Sequence, residues 1–279
     1  MPFANVTDGR LYYESYGEGR PLILIHGAWA THLWWRWQIP DLARDYRVVA
    51  FDVRGHGQSS PLRGVFSIDG FANDLQMLLK RIRITSPVII GWSMGAMIAM
   101  QYGLNQPSSA KALILIAASG HRIPRLKLRV YIDYLQSLLN LFADFAQPRK
   151  FDRSTEQFPR QNVWLEHQVK KMLSPQASRD VLKWVLNDIQ KTPRDNYFHL
   201  WKSLWDWQAG DQLRRIRIPS LILAGAQDSV IPLRFSWLLH DTIPNSKLRI
   251  FENAGHYLVL EHPEGVNVEI LKFLKEIGY

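Results

Sequence analysis

The amino-acid sequence predicts an α/β fold: a doubly wound, mostly parallel sheet with a helical cap inserted between two of its strands. Short apolar runs alternate with segments whose apolar residues recur at helical spacing, which is typical of a parallel sheet covered by helices on both faces. The alternation breaks once, between about residues 121 and 210, where helix formers dominate. Hydrophobic residues make up 47% of the 279 residues, which is enough for a sizeable core.

The predicted strands follow one another along the chain. The first segment, FANVTDGRLYYESYG, predicts an antiparallel hairpin with Asp8 and Gly9 at its turn. Six apolar runs then predict strands: PLILIHG, YRVVAFD, SPVIIGW, AKALILIAAS, IPSLILAGAQD and the more alternating KLRIFENAGH. Between them, IDGFANDLQMLLKRI and GAMIAMQYGLN have the apolar spacing of helices.

The break in the alternation sets the predicted domain organisation. Residues 1–120 and 211–279 are expected to form the core, and residues 121–210 the helical cap over the strand ends. Within the predicted cap, LRVYIDYLQSLLNLFADFA and SRDVLKWVLNDIQK are rich in helix formers.

The stretch GWSMG places a serine between two glycines, directly after a predicted strand and before a predicted helix. A serine on so sharp a turn has a strained backbone, and side chains two positions away on either side would collide, so Gly91 and Gly95 suit the turn. The turn lifts the hydroxyl of Ser93 above the sheet, at the positive end of the next helix. This context predicts that Ser93 is a nucleophile.

A serine nucleophile needs a base, and the base needs a partner that orients it. Asp228 follows one predicted strand and His256 follows the next, at the same sheet edge as Ser93. Taken alone, Asp228 also suits a helix cap, and His256 is one of nine histidines. Together, in the order serine, acid, histidine, they predict that His256 moves the proton and that Asp228 holds its imidazole.

The developing oxyanion needs two donors. The main-chain N–H groups of Ala28, after the strand LILI, and Met94, after the nucleophile, are the predicted pair. His26 is interpreted as a residue that orients its loop through hydrogen bonds. Asp52, Arg54 and His56 in FDVRGHGQS are interpreted as part of the loop architecture.

Five motifs, HGAW, DVRGHGQS, GWSMGA, GAQD and GHYLVLEHP, resemble the landmarks of the α/β-hydrolase fold superfamily, in the same order and over nearly the whole chain. The resemblance implies a triad at Ser93, Asp228 and His256. Ala96 stands where many members have a second glycine, but alanine is small enough for close helix–strand packing. Ser93 differs from the aspartate of the similar haloalkane dehalogenases.

The elbow GWS resembles that of aryl esterases, of cofactor-free haloperoxidases and of carboxylesterases that cleave a pimeloyl methyl ester on an acidic acyl carrier protein. The segment HRIPRLKLR of the predicted cap holds four Arg or Lys residues and no acidic residue. Such a segment suits an acidic carrier protein, but a solvated helix face is the preferred interpretation, and the carrier protein is kept as an alternative. Four tryptophans are candidate walls of a hydrophobic substrate pocket, or else they pack the cap against the sheet: Trp29, Trp92, Trp201 and Trp205.

Several classes of partner are not expected. The net charge is +9, but the basic residues are dispersed, so no nucleic-acid partner is predicted. The chain has no cysteine, no metal-ligand spacing and no phosphate-binding fingerprint, so neither metal nor cofactor is predicted. No apolar run approaches the roughly 20 residues that span a bilayer. With no signal-peptide pattern at the N-terminus, a cytoplasmic location is expected.

The sequence therefore predicts a serine hydrolase that cleaves carboxylic esters of small to medium hydrophobic substrates through an acyl-enzyme on Ser93. Hydrolysis of an acyl group on an acidic carrier protein is one alternative. Lactone hydrolysis, carbon–carbon bond hydrolysis and perhydrolysis remain open, because serine attack permits each of them. A small-molecule receptor on the same fold is the alternative outside catalysis.

Overall fold

The computed structural model describes residues 2–62, 66–121, 163–189 and 196–279. These residues form an eight-stranded sheet with the order β1-β2-β4-β3-β5-β6-β7-β8. The β1–β2 and β2–β4 pairs are antiparallel, and the remaining pairs are parallel. The strands are β1 Phe3–Val6, β2 Gly9–Tyr16, β3 Arg20–Ile25, β4 Tyr46–Phe51, β5 Val88–Trp92, β6 Ala112–Ile116, β7 Ser220–Gly225 and β8 Ser246–Phe251. The predicted α/β class and mostly parallel sheet are confirmed.

The turn of the N-terminal hairpin differs from the prediction by one residue. Val6 pairs with Gly9, so the two turn residues are Thr7 and Asp8, and Gly9 is already part of β2. Asp8 adopts the positive φ of 57° that the turn needs. Aspartate tolerates this left-handed conformation better than most residues.

Helices flank the sheet. They are α1 Ile39–Leu42, α2 Ile68–Arg81, α3 Met94–Asn105, α4 Val163–Met172, α5 Arg179–Ile189, α6 Asn196–Asp206, α7 Leu233–Thr242, α8 Leu258–Glu261 and α9 Pro263–Glu276. Short 3₁₀ helices cover His32–Trp35 and Gly210–Arg215. Among the described residues, no helix combines the length and apolar character needed to cross a bilayer.

Two apolar clusters lie on opposite faces of the sheet, and the alternation along each strand assigns residues to them. Ile89 of β5 belongs to the first cluster, which packs against α2 and α3. Val88, Ile90 and Trp92 of the same strand belong to the second, which packs against α9. Because both faces are covered, the central strands β5, β6 and β7 are buried along their whole length.

Helices α4, α5 and α6 lie between β6 and β7 in the chain, where the sequence predicts a cap. Val169 of α4 and Val185 of α5 pack in the second cluster, and Leu200 of α6 packs in the first. The predicted helical segment at residues 128–146 and the basic residues Arg122 to Arg129 lie outside the described residues. The division into a core and a cap at residues 121 and 210 stays a prediction.

A buried ion pair fixes the loop after β4 to α2. Arg54 donates from Nε and Nη2 to the two carboxylate oxygens of Asp74, at 2.8 and 2.7 Å. The same guanidinium donates to the carbonyl oxygens of Thr7 and Asp8 in the hairpin turn. Both charged side chains are about 95% buried. Loss of one partner would leave an uncompensated charge in the interior.

We expect Asp74→Ala to lower the free energy of unfolding by about 3–5 kcal/mol, because it leaves the buried charge of Arg54 without its carboxylate partner. Glu269→Ala is the matched control: Glu269 pairs with Arg249 at the surface, and a surface pair contributes at most about 1 kcal/mol. Urea unfolding followed by tryptophan fluorescence measures both. Similar small losses in the two variants would contradict this account of the buried pair.

Candidate active site

Ser93 lies on the turn between β5 and α3, in a strained conformation with φ 54° and ψ −115°. A Cβ atom on Gly91 would lie 2.3 Å from the carbonyl oxygen of Gly95, and one on Gly95 would lie 2.1 Å from that of Ile25. Both approaches are to main-chain atoms, which cannot rotate away. The two glycines are therefore steric requirements of the serine turn, as the sequence predicts.

The structure brings His256 and Asp228 to Ser93. His256 Nε2 lies 3.0 Å from Ser93 Oγ, and His256 Nδ1 lies 2.8 Å from Asp228 Oδ2. The second oxygen of Asp228 accepts the amides of Val230 and Ile231, each at 2.8 Å. The carboxylate is thus held in one orientation, with Oδ2 facing the imidazole.

This chain of hydrogen bonds defines what each group can do. An Nδ1–H donated to the buried Asp228 carboxylate leaves the Nε2 lone pair facing Ser93. The imidazole can then accept the serine proton, while the carboxylate stabilises the positive charge that results. The histidine and aspartate side chains are only 4% and 2% exposed, so water weakens these interactions little.

The predicted oxyanion donors lie at the ends of neighbouring strands. Ala28 follows β3 and Met94 follows β5, and these strands pair in register with Ile25 opposite Gly91. Met94 begins α3, so its N–H has no carbonyl one turn earlier in the helix. These positions agree with the predicted arrangement, and the role of the two amides stays a prediction.

His26 and His56 hold the loop that contains Ala28. His26 Nε2 accepts the amide of Val53 at 2.9 Å, and its Nδ1 donates to the carbonyl oxygen of Gly27. His56 Nε2 accepts the amide of Trp29 at 3.2 Å, next to Ala28. Each ring needs a free lone pair on Nε2, so each must be neutral. Burial lowers the pKa of His26 to about 3 and that of His56 to about 4. Their interpretation as loop-orienting residues agrees with these contacts.

A second histidine–carboxylate pair involves His32, which follows the same loop in the chain, and the sequence does not predict it. Asp52 Oδ1 accepts both the amide and Nδ1–H of His32, each at 2.8 Å. Glu14 lies 3.7 Å from the other ring nitrogen. Burial disfavours the charged imidazole, but the hydrogen bond to Asp52 and the charges of Asp52 and Glu14 outweigh it and raise the pKa of His32. The sequence gives no periodic signal for this pair, because its members lie on separate segments.

The four candidate pocket tryptophans differ in their surroundings. Trp92 is 2% exposed and stacks on Trp34 with ring centroids 4.8 Å apart. Its indole N–H donates to the carbonyl oxygen of His256 at 2.9 Å. These contacts place Trp92 in the core behind His256 and give no support to a role as a pocket wall. Trp92 is two and four residues from Ile90 and Val88, so all three side chains lie on the same face of β5. This spacing is the sequence signal for the core position of Trp92.

The other three tryptophans remain candidates. Trp29 is partly buried, adopts a positive φ of 58° and packs against the first apolar cluster. Trp205 is partly buried on α6, and the side chain of Trp201 lies outside what the structure describes. Their role in a pocket stays a prediction. Within the described ranges, no group of three or more acidic or histidine side chains has the arrangement of a metal site.

Comparisons with known proteins agree with the fold. Residues 20–263 match the family model described as alpha/beta hydrolase fold. The AB hydrolase superfamily protein YisY of Bacillus subtilis is 28% identical over 266 residues, which is 94% of each chain. A pimeloyl-[acyl-carrier protein] methyl ester esterase of Aliivibrio salmonicida is 26% identical over 273 residues, 95% of this chain and 96% of that protein.

Among solved structures, the esterase EaEST from Exiguobacterium antarcticum superposes with a TM-score of 0.81. It is 24% identical, and the match covers 98% of each chain. At this identity the likeness concerns the fold alone.

The steric account of the serine turn predicts different effects at two glycines of the same helix. We expect Gly95→Ala to lower the free energy of unfolding by at least about 2 kcal/mol, because its Cβ meets a main-chain oxygen. In Gly103→Ala the nearest atom is a leucine methyl carbon 3.3 Å away, so a change within about 1 kcal/mol is expected. Chemical denaturation measures both, and equal effects would contradict the account.

The neutral histidines predict acid sensitivity. In the unfolded chain both titrate near pH 6.5, so below that pH the unfolded state binds protons that the folded state does not. The free energy of unfolding should therefore fall between about pH 6.5 and about pH 4, by up to about 1.4 kcal/mol per pH unit for each histidine. His32, whose pKa is raised in the folded state, contributes in the opposite sense near the upper end of this window, where its imidazole in the unfolded chain is still partly deprotonated.

Urea unfolding at several pH values measures the slope. His56→Gln keeps an acceptor for the Trp29 amide but does not titrate, so it should remove about half of the slope. An unchanged slope in His56→Gln would contradict the assignment of the acid sensitivity to this pair.

Proposed function

The chain belongs to the alpha/beta hydrolase fold family, and on that premise we propose that it is a serine hydrolase that cleaves carboxylic esters of small to medium hydrophobic substrates. The observation that carries the proposal is the chain of hydrogen bonds from Asp228 through His256 to Ser93. A hydroxyl, a base and an oriented carboxylate within hydrogen-bond distance are what acyl transfer through a serine requires.

The proposed reaction has two halves. Ser93 Oγ attacks the ester carbonyl carbon while His256 Nε2 takes the serine proton, and the carbonyl oxygen becomes an oxyanion that accepts hydrogen bonds from the Ala28 and Met94 amides. The carbon–oxygen bond to the alcohol then breaks, and His256 returns the proton to the departing oxygen. Water attacks the acyl-enzyme with His256 as base, and the acid leaves as Ser93 regains its proton.

The strained serine turn and the buried His256 hold the reacting groups in position before the substrate binds. The first amide of α3 lies directly after the nucleophile, so it is placed next to the reacting carbonyl without further movement. One oxyanion donor of this kind contributes about 100- to 1,000-fold in kcat in other serine hydrolases. Water competes little for groups as buried as Asp228 and His256.

A second candidate function is hydrolysis of an ester on an acidic acyl carrier protein. The relative from Aliivibrio salmonicida is named a pimeloyl-[acyl-carrier protein] methyl ester esterase, and this chain has 34 basic against 25 acidic side chains. Opposite net charges would steer an acidic carrier protein towards the enzyme. Hydrolysis of a methyl ester on the carrier protein, compared with the same free methyl ester at low and at moderate salt, tests this candidate. Equal rates that do not depend on salt would exclude it.

For the main proposal we expect Ser93→Ala to lower kcat on p-nitrophenyl acetate, butyrate and octanoate by at least about 10⁴-fold, since the nucleophile is removed. A fluorophosphonate probe should label the wild-type protein at Ser93 and leave the variant unlabelled. Ser109→Ala, at an exposed serine just beyond the far end of α3, is the matched control and should keep full activity.

Two results would overturn the proposal. One is turnover in Ser93→Ala equal to that of the wild type. The other is a wild-type protein with neither turnover nor labelling, which would favour a small-molecule receptor on the same fold.

A further inference from the structure

The turn that follows α4 contacts the main chain of the loop that carries His256. The amide of His256 donates to the carbonyl oxygen of Met172 at 2.7 Å. A Cβ atom on Gly255 would lie 2.5 Å from that same oxygen and 2.8 Å from the nitrogen of Ser174. The two segments therefore touch backbone to backbone, and Gly255 is what allows the approach.

One carboxylate joins the two segments. Glu261, the last residue of α8, accepts the amide of Gly255 with both oxygens, at 3.2 and 3.1 Å, and the amide of Ser174 at 2.8 Å. Ser174 and Glu261 are 87 positions apart in the sequence. Bonds from amides to a carboxylate are stronger than bonds between neutral groups. Glu261 thus connects the loop that carries Gly255 and His256, called the histidine loop below, to the end of α4.

The same turn also reaches the loop that carries Asp228. Ser229, the next residue, donates its hydroxyl to the carbonyl oxygen of Lys171 at 2.6 Å. Residues Lys171 to Ser174 therefore contact the loops of two of the three residues in the proposed triad. This segment, Lys171–Ser174, is called the α4 turn below.

The main chain of His256 is held from two sides. Its amide is bound by the α4 turn, and its carbonyl oxygen accepts the indole N–H of Trp92. Trp92 directly precedes Ser93, so that contact fixes the histidine relative to the nucleophile. The contact with the α4 turn is the second constraint on this main chain.

We propose that Glu261 is a positioning residue that holds the α4 turn against the histidine loop, so that the placement of α4 sets the distance from His256 to Ser93. The kinetic consequence rests on the proposed function. A misplacement of about 1 Å in a catalytic group can cost about 100-fold in rate. Glu261 is not expected to touch the substrate, because both of its oxygens are occupied by main-chain amides.

The kinetic test uses three variants of the full chain. Glu261→Ala should lower kcat and kcat/KM on p-nitrophenyl butyrate together, by about 10- to 100-fold, as expected when an interaction is lost in the transition state. Glu261→Gln keeps one oxygen that can accept both amides and should restore kcat to within about 3-fold of the wild type. Asn267→Ala is the matched control, because this buried side chain ties α9 to Trp37 and Asp41 instead.

Asn267→Ala should destabilise the protein without lowering kcat, when all variants are assayed well below their melting temperatures. The proposal is overturned if Glu261→Ala keeps kcat within about 3-fold of the wild type. It is also overturned if Asn267→Ala loses as much activity at similar stability, or if Glu261→Gln is as slow as Glu261→Ala.

Hydrogen exchange gives a readout that needs no turnover. In Glu261→Ala, the amide of His256 should exchange faster, although its own acceptor, Met172, is unchanged. The amides of β8 and α9 should keep their protection. Unchanged protection of the His256 amide would overturn the coupling even in a protein with full activity. An inactive wild type that shows this coupling would contradict only the proposed function.

Discussion

The hydrogen bond between His256 Nε2 and Ser93 Oγ is the contact on which the site depends, and it joins residues 163 positions apart. The serine side is set by steric constraint, since two glycines allow a turn that other residues would block. The histidine side is set by hydrogen bonds to its amide, its carbonyl oxygen and its ring. The fold thus uses rigidity on one side and a hydrogen-bond network on the other.

The histidines near this edge of the sheet show how environment decides charge. His26 and His56 are fully buried and accept main-chain amides, so the neutral ring is the stable form. His32 is also buried, yet it lies between two carboxylates, and their hydrogen bond and charges raise its pKa. The loop with Ala28 is therefore bordered by two histidines whose pKa is lowered and is followed by one whose pKa is raised. Residue type alone does not distinguish these cases, because the neighbours come from distant segments.

The sequence predicts much of the fold, and the structure shows why. The central strands are continuous apolar runs because both sheet faces are covered, and a strict turn pattern marks Ser93. The hairpin turn was misplaced by one residue, because Asp8 rather than Gly9 adopts the positive φ. For Trp92 the sequence leaves a pocket wall and a packing role open, and its contacts on β5 are those of a packed core residue. The Glu261 contacts could not be predicted from the sequence. Their partners are main-chain amides, and nearly every residue type has the same amide.

That last feature has a consequence for how sequence can vary. The atoms through which the α4 turn contacts both loops are carbonyl oxygens and amides, which every non-proline residue supplies. Under the proposed function, substitutions at exposed positions of the helices between β6 and β7 would alter the surface offered to a substrate while the backbone junction persists. Specificity and proton transfer then become separable traits, and a helix exchanged from a relative would need to reproduce the shape of one short turn and the packing of Val169 and Leu173.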